Sequence, residues 1–356
     1  MASTDHAPPD SHTGPGPLHI LGLTAVALAV AATLFELRVP AQAPAVSENA
    51  AVAGLEPKFV DVGGVRTRYY EYGQGEPMIL VHGGGRGTTS SANNWSPVIP
   101  LLARRFHVLA VDKSAAGMTG NPLDDRDLGP EGEVKHMYQF IQTMKLDQVH
   151  LVGHSSGGAL VFYLASEHPE IVRTLTVVAH GPGMPPAGDG PAKHDLAEEA
   201  MCKAPQTTYE GRKCRLALLG HTPATFDEEF LRADAWMADQ PKSREAREKY
   251  AARAAEARRQ QTNSYRQRLW DRARNDGALQ MPILIVAAKQ DTLSWDADDP
   301  HAMMRGELGF FDIVGAKNPR VSLIVVNEAG HFPYREHPEL FAADVGNFID
   351  FWKGRK

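Results

Sequence analysis

The stretch that decides the fold is Val149-His150-Leu151-Val152-Gly153-His154-Ser155-Ser156-Gly157-Gly158. Its apolar start, Val149 to Val152, reads as a short buried strand, and Ala159 to Ala165 beyond it reads as helix. Between them, Gly153, Ser155 and Gly157 form a G-x-S-x-G. A strand that turns sharply into a helix at such a motif lifts the central serine out at the carboxyl edge of a sheet. The glycines have a mechanical reason, because a Cβ at Gly153 or Gly157 would collide with neighbouring backbone in so tight a turn. The helix start beneath Ser155 offers free N–H groups to a developing negative charge. Ser155 is therefore the candidate nucleophile.

Upstream, Met78-Ile79-Leu80-Val81 is a short apolar run of the buried, parallel-strand type, and it leads straight into His82-Gly83-Gly84-Gly85-Arg86-Gly87. Before it, Phe59 to Val62 and Val65 to Tyr72 flank Gly63-Gly64, the signature of a tight hairpin. Val108 to Val111 is the next buried strand, closed by Asp112, and residues 132–144 read as helix. Downstream, Leu175 to Ala179 and Pro282 to Ala287 are further buried strands, the second followed closely by Asp291. Val321 to Val326 is the last strand and runs on to Gly330-His331. Pro338 to Trp352 reads as a closing amphipathic helix with Phe341, Val345, Phe348 and Ile349 on its apolar face. Strands alternating with helices at this spacing predict an α/β fold with a mostly parallel, doubly wound sheet.

The 356 residues carry a net charge of -6, with no dense basic stripe and no interleaved aromatics, so nucleic acid is not an expected partner. Residues 1–17 are polar and rich in Pro, Gly and Ser, a composition that predicts disorder. Residues 18–36 are almost wholly apolar, long enough for a signal or membrane-anchor helix, and Ala41-Gln42-Ala43 beyond resembles a cleavage site. No Lys or Arg precedes the apolar run, so an uncleaved anchor, a cleaved signal and a buried helix all stay open. The expected location is membrane-anchored or exported. Residues 37–57 are rich in Ala and Pro and read as a linker. The globular part is then expected as a first core segment, 58–180, a helical, charged insertion, 181–277, and a second core segment, 278–356. Cys202 and Cys214 lie in the insertion. Two cysteines without a His cluster cannot build a Cys-rich zinc site, and no metal is expected. In an exported domain they would pair, and in the cytosol they would stay free thiols.

With the glycine loop and the serine motif in hand, the chain resembles the α/β-hydrolase fold family from about Lys58 to its C-terminus. The resemblance implies a Ser-His-Asp triad in the family's chain order, with Ser155 as nucleophile, Asp291 as acid and His331 as base. It implies an oxyanion hole from the backbone N–H groups of Gly84 and Ser156, a helical lid in the insertion, and no cofactor. Gly85, Arg86 and His154 are expected at the substrate pocket, with Trp95 and Trp295 as weaker candidates. The segment Asp112-Lys113-Ser114-Ala115-Ala116-Gly117 stands where the family usually has Asp-x-Pro-Gly-x-Gly and lacks the proline. Several blocks are similar to meta-cleavage product hydrolases, which split C–C bonds of ring-fission products: the glycine loop with Trp95, the run from Phe311 to Arg320, and Glu336-His337-Pro338. That subgroup commonly has Asn where His154 stands and Trp where Phe332 stands, and its lid arginine finds only Arg232 as a counterpart. A small-molecule carboxylic ester is accordingly the first expected substrate class, a C–C bond the alternative, and a non-catalytic ligand receptor a further alternative.

Overall fold

The chain builds one eight-stranded sheet in the order β1-β2-β4-β3-β5-β6-β7-β8. This is a computed structural model, and it describes residues 46–85, 90–180, 200–252, 264–293 and 301–355. The strands are β1 (Lys58–Val62), β2 (Val65–Tyr72), β3 (Glu76–Val81), β4 (Phe106–Val111), β5 (Val149–His154), β6 (Val172–Val178), β7 (Ile283–Ala288) and β8 (Val321–Val326). β2 pairs antiparallel with both β1 and β4, and every other pairing is parallel. The predicted fold class is therefore the observed one.

The apolar runs are continuous because both faces of the central strands are covered. Side chains alternate between two cores: Met78 and Leu80 of β3 point to one, Ile79 and Val81 to the other. Helix α1 (Pro130–Thr143), α2 (Ser156–Glu167) and α6 (Ala302–Gly315) cover the second face through residues such as Phe140, Phe162 and Phe310. The closing helix α7 (Pro338–Trp352) covers the first with Phe341, Val345, Phe348 and Ile349, the apolar face read from the sequence. Of the insertion, the structure describes three helices in residues 200–252: α3 (Tyr209–Leu219), α4 (Glu228–Ala238) and α5 (Pro241–Ala252).

One expectation is corrected. Residues 46–57 are not a free linker. Ala50, Val52 and Leu55 are buried, and Ala50 and Val52 pack with Ala233 and Met237 of α4. The buried Arg68 donates to the carbonyls of Asn49 and Ala50, and the Ala53 N–H donates to Glu229. An Ala-rich stretch reads as spacer by composition, yet small side chains are what lets a strap lie close against a helix. Cys202 and Cys214 are joined as a disulfide with a Cα–Cα distance of 5.7 Å, which ties the segment before α3 to that helix. Residues 1–36, with the predicted disordered start and apolar helix, and residues 37–45 lie outside the described residues. Among the described residues no helix is long and apolar enough to cross a membrane, and no group of His, Cys, Asp and Glu could hold a metal ion.

Candidate active site

The strand order reverses around β3, which lies between β4 and β5, and the crevice at the carboxyl ends there is the expected ligand position in such sheets. Ser155 stands at the end of β5 with φ +52° and ψ −127°, a left-handed backbone that a non-glycine residue adopts only under constraint. The constraint is visible. The Ser155 N–H donates to the Val178 carbonyl at 2.9 Å, and the Ser155 carbonyl accepts from Gly158 at 2.7 Å as α2 begins. A Cβ on Gly153 would run into the Gly157 carbonyl and Val161, and one on Gly157 into the carbonyls of Val81 and His82. A Cβ on Gly83 would lie 2.8 Å from that of Ser155. The glycine loop thus passes directly beside the nucleophile position.

The structure brings the predicted acid and base together. Asp291 follows β7 and His331 follows β8, and both are almost fully buried. His331 Nδ1 donates to Asp291 Oδ2 at 2.7 Å, while Asp291 Oδ1 accepts from the Leu293 N–H at 2.9 Å. A proton held at Nδ1 leaves Nε2 as the acceptor, the tautomer that a general base needs. The His331 backbone is pinned as well. Its N–H donates to Leu219 at the end of α3 (2.8 Å), and its carbonyl accepts from His154 Nε2 (2.7 Å).

That bond corrects the place of His154. Both of its ring nitrogens are engaged, since Nδ1 accepts from the Tyr334 hydroxyl at 3.2 Å, and the ring packs among His331, Phe332, Tyr334 and Trp95. Burial, then the neighbouring His331, holds its pKa well below the ordinary value, so it is neutral. It supports the His331 backbone rather than forming a pocket wall. Trp95 is likewise core, stacked on Tyr334 at 4.1 Å. Arg232 is partly exposed and pairs with Glu228 of α4. Arg86 and Trp295 lie outside the described residues.

Gly84 and Ser156, the expected oxyanion donors, are joined. The Ser156 hydroxyl donates to the Gly84 carbonyl at 2.5 Å, and Gly84 has φ +74°, a backbone that favours glycine. Lys113 Nζ donates to the same carbonyl (2.5 Å) and contacts Ser156 Oγ (2.8 Å). His82 is buried and neutral, its pKa pushed well down by burial and then by Lys113, and its Nδ1 donates to the Gly83 carbonyl at 2.7 Å.

Three side chains hold roles here that the sequence did not assign to them. Lys113 was visible only as a departure from the family loop. Glu336 accepts from the Gly330 N–H (2.6 Å), from the Thr225 hydroxyl (2.9 Å) and from the His221 N–H, so one carboxylate ties the Gly-His loop to the turn after α3. Glu307 of α6 is buried, and burial, then the charge of Asp291, pushes its carboxyl pKa well up. Nothing in the sequence of α6 distinguishes that glutamate from one facing solvent.

The Alpha/beta hydrolase family profile matches residues 78–344, most of the chain. The chain belongs to this family. Among curated relatives, it is 41% identical over 138 residues to the 2-hydroxy-6-oxo-6-(2'-aminophenyl)hexa-2,4-dienoic acid hydrolase of Metapseudomonas resinovorans, covering 38% of this chain and 46% of that one. It is 39% identical over 121 residues to the 2-hydroxy-6-oxo-2,4-heptadienoate hydrolase of Pseudomonas putida, covering 34% and 43%. These matches span less than half of either relative. The crystal structure of a serine hydrolase involved in carbazole degradation superposes with a TM-score of 0.63 at 26% identity, over 83% of this chain and 99% of that one.

Proposed function

We propose that this α/β-hydrolase is a serine hydrolase that cleaves a C–C bond beside a ketone in a ring-fission product of the meta-cleavage type. The ester reading, placed first from sequence alone, moves to second, because the two curated relatives described above are both named for dienoate substrates with a ketone at the sixth carbon. The observation that carries the hydrolase chemistry is the 2.7 Å bond from His331 Nδ1 to the buried Asp291, built onto the sheet edge where the strained Ser155 stands.

His331 takes the Ser155 proton as the oxygen attacks the ketone carbon. The negative charge on the former ketone oxygen is met by the N–H groups of Gly84 and Ser156, which need no rearrangement to receive it. Collapse breaks the C–C bond. The substrate is attacked as its 2-oxo tautomer, its 2-hydroxyl proton having moved to C5. The electron pair therefore leaves through the C3=C4 double bond into the 2-oxo oxygen as a dienolate, and a proton from His331 on that oxygen completes the 2-hydroxydienoate product. An acyl group stays on Ser155. Water, deprotonated by His331, attacks it and releases a carboxylic acid. Asp291 holds the His331 tautomer and balances its charge in both halves. Gly85 and Arg86 are kept as candidates for contact with the substrate.

An ester would follow the same steps with an alcohol as leaving group, and His154 and Phe332 at positions where the C–C subgroup commonly carries Asn and Trp favour that second reading. Steady-state kcat/KM on 2-hydroxy-6-oxo-6-phenylhexa-2,4-dienoate and on p-nitrophenyl butyrate separates the two. A ratio above ~10² in favour of the dienoate is expected, and a ratio reversed by as much would install the esterase; both values are judged against the ~10⁴ M⁻¹s⁻¹ floor of dedicated enzymes. We also propose that residues 18–36 anchor or export the protein, which the Cys202–Cys214 disulfide supports. Fractionation of cells expressing the full chain checks this, and recovery solely in the cytosolic fraction would reject it.

A further inference from the structure

We propose that Lys113 is a positioning residue that locks the two halves of the oxyanion hole to each other. The proposal rests on the triad reading given above. The two donor groups come from different elements: Gly84 from a glycine loop after β3, Ser156 from the first turn of α2. A loop of consecutive glycines has the greatest backbone freedom of any sequence. Stabilising an oxyanion requires donors already fixed at the place where the charge forms. Something other than the glycines must fix them.

Residue 113 does so at two levels. Its ammonium reaches the Gly84 carbonyl (2.5 Å) and the Ser156 hydroxyl (2.8 Å), and that hydroxyl itself donates to the Gly84 carbonyl, closing a triangle. Its backbone N–H donates to His82 Nε2 at 3.0 Å, while His82 Nδ1 holds the Gly83 carbonyl. The peptide groups on both sides of Gly84 are therefore held by their carbonyls. In a trans peptide the N–H points opposite to the C=O. With the Gly83 carbonyl held by His82 and the Gly84 carbonyl by Lys113, the Gly84 and Gly85 N–H groups are turned away from those partners.

Lys113 is 1% exposed, and its ammonium lies 3.9 Å from the Glu133 carboxylate of α1. Burying an ammonium is costly unless its hydrogens are used. An apolar side chain would fill this space at lower cost, so the charge is explained by what it holds. A cation there also acts through a medium from which water is excluded, where its field on a nearby oxyanion is least screened. In the sequence, Lys113 stands in the loop that lacks the family's proline.

The test measures the second-order rate at which a fluorophosphonate modifies Ser155, together with kcat and KM on p-nitrophenyl butyrate, each per folded molecule with Tm recorded in parallel. The variants are Lys113→Met, Lys113→Arg and Ser156→Ala, with Ser155→Ala as the blank. Lys113→Met is expected to lower both the phosphonylation rate and kcat by about 10²-fold, the scale of one lost oxyanion donor, with KM changed less than about threefold. Ser156→Ala removes one side of the triangle and is expected to cost about tenfold, and Lys113→Arg to recover at least a tenth of the wild-type rate. A Lys113→Met protein that is less stable yet reacts within about threefold of wild type per folded molecule overturns the proposal and leaves the triad standing. Where Lys113→Met does not fold, Ser156→Ala decides by the same threefold criterion. Wild-type protein that is not modified at Ser155 would sink the triad reading, and this proposal with it.

Discussion

The carboxyl edge of the sheet and the helical insertion above it are held together in opposite ways. At the sheet edge Ser155 and Asp291 follow strands buried on both faces, His331 follows the half-exposed edge strand β8, and the backbone around them is bonded to neighbouring elements: Ser155 to Val178, Gln290 beside Asp291 to Ala329, His331 to Leu219. Among its described residues the insertion adds no strand; Leu216, Leu219, Phe226 and Phe230 pack into the first core and Tyr265, Leu269 and Trp270 into the second, and polar ties fasten its ends to the sheet edge. The last carbonyls of α3, Leu218 and Leu219, accept from the Thr292 hydroxyl and the His331 N–H. Glu336 grips the turn after α3, and the buried Arg335 donates to Thr225 on one side and to Asn93 and Asn94 on the other. These ties satisfy helix-end carbonyls that have no partner inside the helix. The difference teaches that the reacting groups are fixed by the strands that carry them, whereas the insertion is joined to both triad loops at the end of α3.

If that contrast holds, damage at the sheet edge should cost chemistry or folding outright, and damage to the ties should cost less. Asp291→Asn, which keeps the shape and spoils the tautomer, is expected to lower kcat by about 10⁴-fold at little change in Tm, read by steady-state kinetics. Gly157→Val forces a side chain into the carbonyls of Val81 and His82 and should destabilise by about 3 kcal/mol or more in urea unfolding. Reducing the Cys202–Cys214 bond should remove about 3 kcal/mol from the unfolding of the insertion, with thiol titration before and after confirming the count. Glu336→Gln weakens the tie between the Gly-His loop and the insertion and should cost about 1–3 kcal/mol of stability. A Glu336→Gln protein as inactive as Asp291→Asn would break the contrast, since the tie would then be part of the chemistry.

A last effect is one of pH. His82, His136, His150, His154 and His180 are all held below the ordinary histidine value chiefly by burial, His136 and His150 down to about 4. The unfolded chain binds these protons first. Their contribution to stability is therefore complete above about pH 6.5 and is lost as pH falls toward the folded values, by up to about 1.4 kcal/mol per group per pH unit. Glu307 works in the opposite direction. Its raised pKa favours folding below its unfolded value near 4.5 and is a growing cost as pH rises, so Glu307→Gln should stabilise the protein more at pH 8 than at pH 5. Denaturant midpoints across pH 4–8 check both signs.

The same contrast explains what the sequence revealed. Strands buried on both faces need unbroken apolar runs, and the glycines of the elbow are demanded by collisions within a few residues, so Gly153, Ser155 and Gly157 could be read directly. Asp291 and His331 were legible because each follows a run that reads as a strand, fully buried in β7 and half-exposed in the edge strand β8. His154 was not, because the partners that use its two nitrogens, the His331 carbonyl and Tyr334, lie far along the chain. The strap at residues 46–57 was hidden for a similar reason: Ala50 and Val52 owe their burial to Arg68 and α4, not to any local pattern. Lys113 showed only as a break in a family motif, and the loop it fixes has no side chains to announce it.

The most direct measurement is kcat/KM for wild type and Ser155→Ala on whichever of the dienoate and p-nitrophenyl butyrate the wild type turns over faster, with Tm taken on both proteins. The account predicts a loss of at least ~10³-fold in the variant at unchanged Tm, since Ser155 supplies the bond-forming oxygen. A Ser155→Ala protein that retains activity within about tenfold of wild type would contradict it.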